Sequence, residues 1–224
     1  MARNVFISGG TGYMGQRLIP ELLGRGHQVR ALARAGSENK VPTGCEAVAG
    51  NPLDPTTFAN KISPSDTYVH LVGVAHPSPS KAAQFQAIDL KSIEVAVPAV
   101  VAAGVRHFIY VSVAHPAPMM HAYIKVRTRG EELIRQSGLN ATILRPWYVL
   151  GPGHRWPYLL KPLYFLAEHL PSTAEGARRL GLVTLPQMIS ALSYAVDTPP
   201  DGIRILQVQD IRFCGERGLA ASAG

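Results

Sequence analysis

Several features that mark common classes of protein are scarce or missing in this chain of 224 residues. Its two cysteines, Cys45 and Cys214, form no CxxC pair and no Cys/His cluster, so we expect neither a metal site nor a disulfide framework. No stretch approaches the ~18 apolar residues of a membrane span, and the first apolar stretch is too short for a signal peptide. We therefore expect a cytoplasmic protein in a reducing compartment.

Long runs of basic residues are also missing, although the net charge is +7. The lysines and arginines are scattered, and no run is longer than Arg178-Arg179. Nucleic-acid binding normally requires a basic stripe or a recognisable motif, and neither is visible. The charge instead fits a protein that attracts small anionic molecules.

The first 150 residues alternate between short apolar runs and longer helical patterns. Apolar runs without polar alternation, separated by helices, predict a parallel sheet that is covered on both faces. Right-handed crossovers then give a doubly wound α/β sheet. The predicted strands are 5–8, 28–33, 46–49, 68–72, 108–112 and 142–145, and the predicted helices are 16–23, 81–103 and 123–136.

A change of texture follows Leu150. We predict that residues 1–150 form the core, that 151–214 form a small substrate-side cap completing the same domain, and that 215–224 form a flexible tail. Within the cap the pattern indicates strands at 180–184 and 203–208 and a helix at 186–196. An aromatic, amphipathic helix is predicted at 158–170.

The strongest motif is a glycine-rich turn between the first strand and the first helix. Such a turn lets backbone N–H groups and the positive end of the helix hold the diphosphate of a dinucleotide, as in Rossmann folds. A glycine turn that only packs a βα unit is the alternative. The predicted cofactor residues of the turn are Gly9, Gly10, Thr11, Gly12, Tyr13, Met14 and Gly15.

Arg34 follows the second strand, where NAD-selective sites place an acidic residue for the ribose 2′-hydroxyl. No acid lies between Glu21 and Glu38, and a guanidinium pairs well with a 2′-phosphate. We therefore expect NADP in preference to NAD, with Arg30 adding charge nearby. The alternative is that Arg34 is a solvated strand end.

Two further positions are candidate cofactor contacts at strand ends. Asp54 can accept a hydrogen bond from the adenine amino group, or it can cap the helix that starts at Pro55. Gly73 follows the fourth strand and is expected to let the backbone approach the cofactor ribose, with strand-end packing as the alternative.

These residues together resemble the atypical and extended short-chain dehydrogenase/reductases. The residues that carry the resemblance are the turn 9–15, Arg34, Val111-Ser112, Tyr123 and the run 137–146. The chain is most similar to NmrA-like NAD(P)-binding proteins and to the nucleotide-binding accessory subunit of respiratory complex I. The resemblance implies that Pro146 lies near the nicotinamide carboxamide.

In active members of that superfamily a serine polarises a carbonyl, a tyrosine moves its proton, and a lysine four residues later tunes the tyrosine. The resemblance assigns these roles to Ser112 and Tyr123, but Arg127 stands where the lysine is expected. Residues four apart share a helix face, so Arg127 points with Tyr123 while Lys125 faces elsewhere. Arg127 can lower the tyrosine pKa, but it is a poor proton relay. An ordinary helix tyrosine and a strand-end serine are the alternatives.

The substrate is expected to be a small hydrophobic molecule, because aromatic residues gather behind the loop at 151–157. The aromatic group comprises Trp156, Tyr158, Tyr164 and Phe165, and core packing of a cap helix is the alternative explanation. The helices from Lys81 and Tyr123 are candidate faces for a homodimer.

Three functions fit the sequence. The first is an NADP-dependent oxidoreductase that transfers hydride to a carbonyl-like or quinone-like molecule. The second is a non-catalytic NADP sensor or assembly subunit, which the Tyr-x-x-x-Arg pattern favours. The third is an epimerase or dehydratase, which normally carries a larger C-terminal domain than the segment after Leu150.

Overall fold

The computed structural model describes residues 1–117, 119–152 and 180–221, and the side chains of 215–221 are outside the description. Its strands are β1 Asn4–Ser8, β2 Gln28–Ala33, β3 Glu46–Ala49, β4 Thr67–His70, β5 His107–Val111, β6 Asn140–Leu144, β7 Tyr148–Leu150, β8 Leu182–Thr184 and β9 Ile203–Leu206. Its α-helices are α1 Gly15–Gly24, α2 Ala82–Gln84, α3 Lys91–Ala102, α4 His121–Gln136, α5 Leu185–Asp197 and α6 Val208–Ala221.

One seven-stranded sheet organises the described residues, in the order β3-β2-β1-β4-β5-β6-β9. All of its pairings are parallel, and Ile7 at the centre lies opposite Ala31 on one side and Val69 on the other. The strand order reverses between β1 and β4, where doubly wound sheets bind their ligands. The predicted doubly wound α/β fold is therefore confirmed.

Each face of the sheet carries its own apolar core, because neighbouring residues of a strand point to opposite faces. Val5 and Ile7 pack with α1, α5 and α6, while Phe6 packs on the opposite side with α3 and α4. The helix α4 comes very close to β5 at Gly130, where an added Cβ would lie 2.5 Å from the hydroxyl oxygen of Tyr110.

The long helix expected at 81–103 is irregular in its first half. A short turn at Pro79–Lys81 and α2 lead into a π-helical segment, Phe85–Leu90, and only then does α3 begin. The wider π turn changes which side chains face the sheet, and such turns are common at functional sites. Periodicity alone did not reveal it, and Asp89 lies within it.

The C-terminal part adds to the same sheet. The strands β7 and β8 form a small parallel pair, β9 extends the main sheet, and a capping box between Thr184 and Gln187 opens α5. The backbone of α6 is helical to Ala221, so it continues into the segment that we expected to be a loose tail. The predicted aromatic helix at 158–170 lies outside the described residues.

Candidate functional site

A cavity of about 450 Å³ opens at the carboxyl ends of β1, β4 and β5, beside the point where the strand order reverses. It extends from the glycine turn to α4. The predicted site residues that line it are Gly9, Gly12, Tyr13, Met14, Gly73, Ser112, Tyr123, Arg127 and Pro146. Much of the remaining wall is apolar and was not predicted, and it includes Leu71, Val74, Val113, Met120, Trp147 and Val149.

The structure gives a different reason for glycine at each of three positions of the turn. Gly9 has a φ of +83°, and an added Cβ would lie 2.8 Å from the carbonyl carbon of Leu71. At Gly15 an added Cβ would lie 2.5 Å from backbone atoms of Gly9 and Gly10, so only glycine lets α1 start here. Gly12 meets only the carbonyl oxygen of Gly9, at 3.1 Å, and otherwise faces the cavity.

The turn fits the diphosphate of a dinucleotide. No side chain caps the start of α1 at Met14. The N–H groups of Gln16, Arg17 and Leu18 donate to backbone carbonyl oxygens of the turn, so a phosphate would be held by the N–H groups that precede them. A Cβ at Gly12 would protrude toward the cavity that a phosphate must enter. Arg17 supports the turn by donating to the carbonyl oxygen of Tyr13 at 2.8 Å and by stacking over its ring at 4.4 Å. Phosphates are well held by such a geometry.

The predicted residues that do not line this cavity are Gly10, Thr11, Gly15, Arg34 and Asp54. Arg34 is exposed just after β2, and its side chain makes no hydrogen bond or ion pair with the other described residues. Arg30 is already engaged, because it donates to the carbonyl oxygens of Lys61 and Ser63 and pairs with Glu46. The expectation that Arg30 adds charge for a phosphate stays a prediction, since these partners would compete with a phosphate for the guanidinium.

Asp54 caps a short 3₁₀ turn, Pro55–Thr57. Its Oδ1 accepts from the backbone N–H of Thr56 at 3.1 Å and from the Thr56 hydroxyl at 2.7 Å. The capping alternative is thus present in the structure, and Asp54 still has a second carboxylate oxygen for a ligand.

Tyr123 and Arg127 lie on one face of α4, while Lys125 is exposed to solvent. The Cζ of Arg127 is 5.1 Å from the centre of the Tyr123 ring, and the Phe85 ring lies 4.9 Å away. Burial raises the pKa of the Tyr123 hydroxyl, and Arg127 acts in the opposite direction. The expected influence of Arg127 is present, and burial outweighs it.

Sequence reasoning missed Asp89. Its buried carboxylate accepts from the Arg127 guanidinium through Oδ1 and from the backbone N–H of Val74 through Oδ2. An added Cβ at Gly73 would collide with the same guanidinium. Gly73 therefore has a reason to be glycine that does not involve the cofactor ribose. The acidic residue inside an apolar helical stretch was the only signal in the sequence.

Ser112 is buried and its hydroxyl proton is already committed. The hydroxyl donates to Oε1 of Glu131 at 2.7 Å. Glu131 also accepts from Arg145 and Arg135. Burial alone raises the pKa of the Glu131 carboxyl, but these hydrogen bonds reverse the effect and hold it below its usual value. Ser112 would have to leave this carboxylate before it could donate to a substrate oxygen.

A buried polar chain lies directly behind the glycine turn. The Nδ1 of His70 is 3.1 Å from the hydroxyl of Ser8, and its Nε2 is 3.1 Å from the hydroxyl of Ser92. Burial lowers the pKa of His70 to about 3, so the ring is neutral at physiological pH. The chain ties the end of β1, just before Gly9, to the start of α3.

The comparisons with known proteins agree with this geometry. A family model described as NAD(P)H-binding matches residues 9–155, which include the turn, Tyr123, Arg127 and Pro146. The chain belongs to this NAD(P)H-binding family. A nicotinamide dinucleotide is accordingly the cofactor class of the site.

Two curated relatives have the names of reductases. The chain is 24% identical to a ceramide reductase of Caulobacter vibrioides over 94% of its own length and 66% of the relative's. It is 24% identical to a 4-hydroxy-2-methyl-3-oxo-4-farnesyl-3,4-dihydroquinoline-1-oxide ketoreductase of Stigmatella aurantiaca over 65% of its own length and 50% of the relative's. The chain thus spans less than two thirds of the length of both relatives.

Solved structures share the fold. WbmH of Bordetella bronchiseptica with NAD⁺ has a TM-score of 0.68 at 21% identity, covering 100% of this chain and 82% of that one. A short-chain dehydrogenase/reductase superfamily protein from Agrobacterium tumefaciens with bound NAD has a TM-score of 0.66 at 19% identity, covering 91% and 77%. The chain therefore shares its Rossmann-type fold with these dinucleotide-bound proteins.

Among the described residues, no helix is long and apolar enough to cross a membrane. Within the same residues, no group of three or more His, Cys, Asp or Glu side chains is placed to hold a metal ion.

Proposed function

We propose that this protein is an NADP-preferring oxidoreductase that reduces a carbonyl-like or quinone-like group on a hydrophobic small molecule. The observation that carries the proposal is one continuous cavity, which has the glycine turn at one end and Tyr123 with Arg127 at the other. A dinucleotide held at Gly12 and Met14 would reach toward Pro146, and its nicotinamide would supply hydride to the substrate.

The chain's own residues then have distinct tasks. Tyr123 is the proposed proton donor to the substrate oxygen, and Arg127 tunes it. Ser112 is proposed to lie beside that oxygen. To act as a second donor, its hydroxyl would have to break its hydrogen bond to Glu131. Gly9, Gly10, Thr11, Tyr13 and Gly15 complete the proposed diphosphate turn. We propose that Gly73 lies beside the nicotinamide ribose, that Asp54 contacts the adenine, and that Arg34 binds the 2′-phosphate.

A hydrophobic substrate is supported by the apolar side chains along the cavity wall and by the names of the two relatives. One is named for a ceramide and the other for a farnesyl-bearing molecule. We also propose that residues 151–214 cover this crevice as part of the same domain, since β8, α5 and β9 already pack on the core.

The experiment measures NADPH oxidation with a panel of hydrophobic aldehydes, ketones and quinones. We expect turnover in the wild type and a loss of at least about 100-fold in Tyr123→Phe, because a positioned proton donor contributes about that factor or more. Tyr194→Phe, an exposed tyrosine on α5, is the matched control. Full turnover in Tyr123→Phe would remove the proposed role of this residue.

A second candidate, an NADP sensor or assembly subunit, is favoured by two contacts. The Ser112 hydroxyl donates a hydrogen bond to Glu131, and the Arg127 guanidinium forms an ion pair with Asp89. Two of the three predicted catalytic groups therefore already have partners within the protein. Calorimetry with NADP⁺ and NADPH separates the candidates. A strong preference for one redox state without turnover on any acceptor would select the sensor.

A further inference from the structure

The carboxylate of Asp89 joins two walls of the candidate site. Its Oδ1 accepts from Nη2 of Arg127 on α4, and its Oδ2 accepts from the N–H of Val74, in the loop after β4, at 3.1 Å. The Asp89 residue is only 1% exposed. Since the guanidinium also packs against Gly73, one side chain fixes both the loop and the cation.

Both terminal nitrogens of Arg127 are directed to acceptors of the protein, whereas its buried Nε has no hydrogen-bond partner among the described residues. Nη1 donates to the carbonyl oxygen of Val111 at 2.9 Å, and Nη2 donates to Asp89 and, at 3.5 Å, to the carbonyl oxygen of Val72. The guanidinium therefore cannot swing freely, and it stays 5.1 Å from the centre of the Tyr123 ring.

The charges that face Tyr123 come as a pair. Arg127 approaches from α4 and Asp89 from the π-helical segment. Tyr110 faces it from β5, and burial raises the pKa of Tyr110 to about 12, so this neighbour is uncharged at neutral pH. Phe85 supplies only an apolar ring. Burial raises the pKa of the Asp89 carboxyl, while Arg127 and the N–H of Val74 favour its charged form. When Asp89 is ionised, one positive and one negative charge in contact act at a distance as a dipole, which is much weaker than a bare cation.

We propose that Asp89 is a positioning residue of this site, which holds Arg127 against Tyr123 and offsets part of its charge, so that the buried Tyr123 stays protonated and serves as the donor for carbonyl reduction. The proposal rests on the proposed reductase function and gives it a direction. A bound reduced nicotinamide would supply the hydride to the carbonyl carbon. The carbonyl oxygen takes the proton from Oη of Tyr123, and the resulting tyrosinate recovers a proton from water.

The test titrates Tyr123 in the purified chain without cofactor or substrate. Tyrosine labelled with ¹³C at Cζ reports ionisation by NMR, and Tyr123→Phe assigns the signal. We expect Asp89→Asn to lower the apparent pKa of Tyr123 by at least about one unit, because an uncompensated cation at this distance favours the tyrosinate. Glu132→Gln, which removes one exposed charge from the same helix, is the control and should leave the titration unchanged. A shift in Asp89→Asn no larger than that of Glu132→Gln overturns the proposal.

The double variant Asp89→Asn/Arg127→Gln decides the question if the single variant does not fold, because it removes both buried charges together. We expect its Tyr123 to titrate within about half a unit of the wild type, since the paired charges largely offset each other. A much higher pKa in the double variant would mean that Arg127 acts as a bare cation, and the proposal would fail. Because the titration needs no turnover, a shift as expected in a chain without reductase activity would refute the proposed function alone.

Discussion

Gly12 and Gly15 belong to one turn, but the structure predicts that they fail in different ways. An alanine Cβ at Gly15 would lie 2.5 Å from three backbone atoms, which is about 1 Å inside ordinary contact. Overpacking costs about 1–3 kcal/mol, and backbone atoms cannot rotate away, so we expect about 3 kcal/mol of lost stability. At Gly12 the Cβ meets one oxygen at 3.1 Å, so the expected loss stays below about 1 kcal/mol.

For cofactor affinity, in contrast to stability, we expect a direct effect of the Gly12 substitution. Gly12→Ala places its methyl group in the entrance of the cavity, where the diphosphate needs the bare backbone, so we expect at least a tenfold weaker Kd for NADPH, or about 1.4 kcal/mol. Urea unfolding and calorimetric titration measure the two quantities on the same preparations. Gly24→Ala, with no atom within 4 Å of its added Cβ, is the control and should keep both. If Gly12→Ala bound NADPH as the wild type does, the turn would not be the diphosphate site.

Two further predictions concern charge. Arg34→Ala should weaken NADPH binding about tenfold and leave NADH binding unchanged, whereas Arg106→Ala, also exposed, should change neither; equal losses for both dinucleotides would contradict the 2′-phosphate role. Burial of His70 lowers its pKa to about 3, so the unfolded chain binds its proton more readily and stability falls as pH drops below about 6.5. From pH 7 to pH 5 this group should remove about 2 kcal/mol, and His70→Asn should lose that much less in urea titrations at the two pH values. An equal loss in His70→Asn would count against a neutral buried ring.

Much of the fold follows from local signals in the sequence. The strands around Ile7, Val69 and Ile109 are buried on both faces and therefore are rich in apolar residues, although His70 interrupts the apolar run after Val69. The glycine turn is also recognisable from local spacing, because its glycines lie within seven residues of chain, although the space at Gly9 is limited by Leu71 from a distant part of the chain. These are the conditions under which spacing and residue type suffice.

The chemistry around α4 depends on contacts that no local pattern reveals. Asp89 meets Arg127 across 38 residues, and Ser112 meets Glu131 across 19. No local pattern indicates that Arg30 donates to the carbonyl oxygen of Lys61 and pairs with Glu46. The hydrogen-bond partner of a side chain depends on how the sheet and helices assemble. Spacing in the sequence therefore predicts which residues lie at the site, but it does not predict their hydrogen bonds.

Gly130 does not line the cavity, but the close approach of α4 to β5 at this residue determines where the cavity-lining residues of α4 lie. A methyl group there would push against the Tyr110 hydroxyl and lift this end of the helix from the strand. The helix would then tilt, and Tyr123 and Arg127 would move with it because they lie on the same helix. Chemistry could then be lost through a change in angle alone, with every group that touches a ligand left intact.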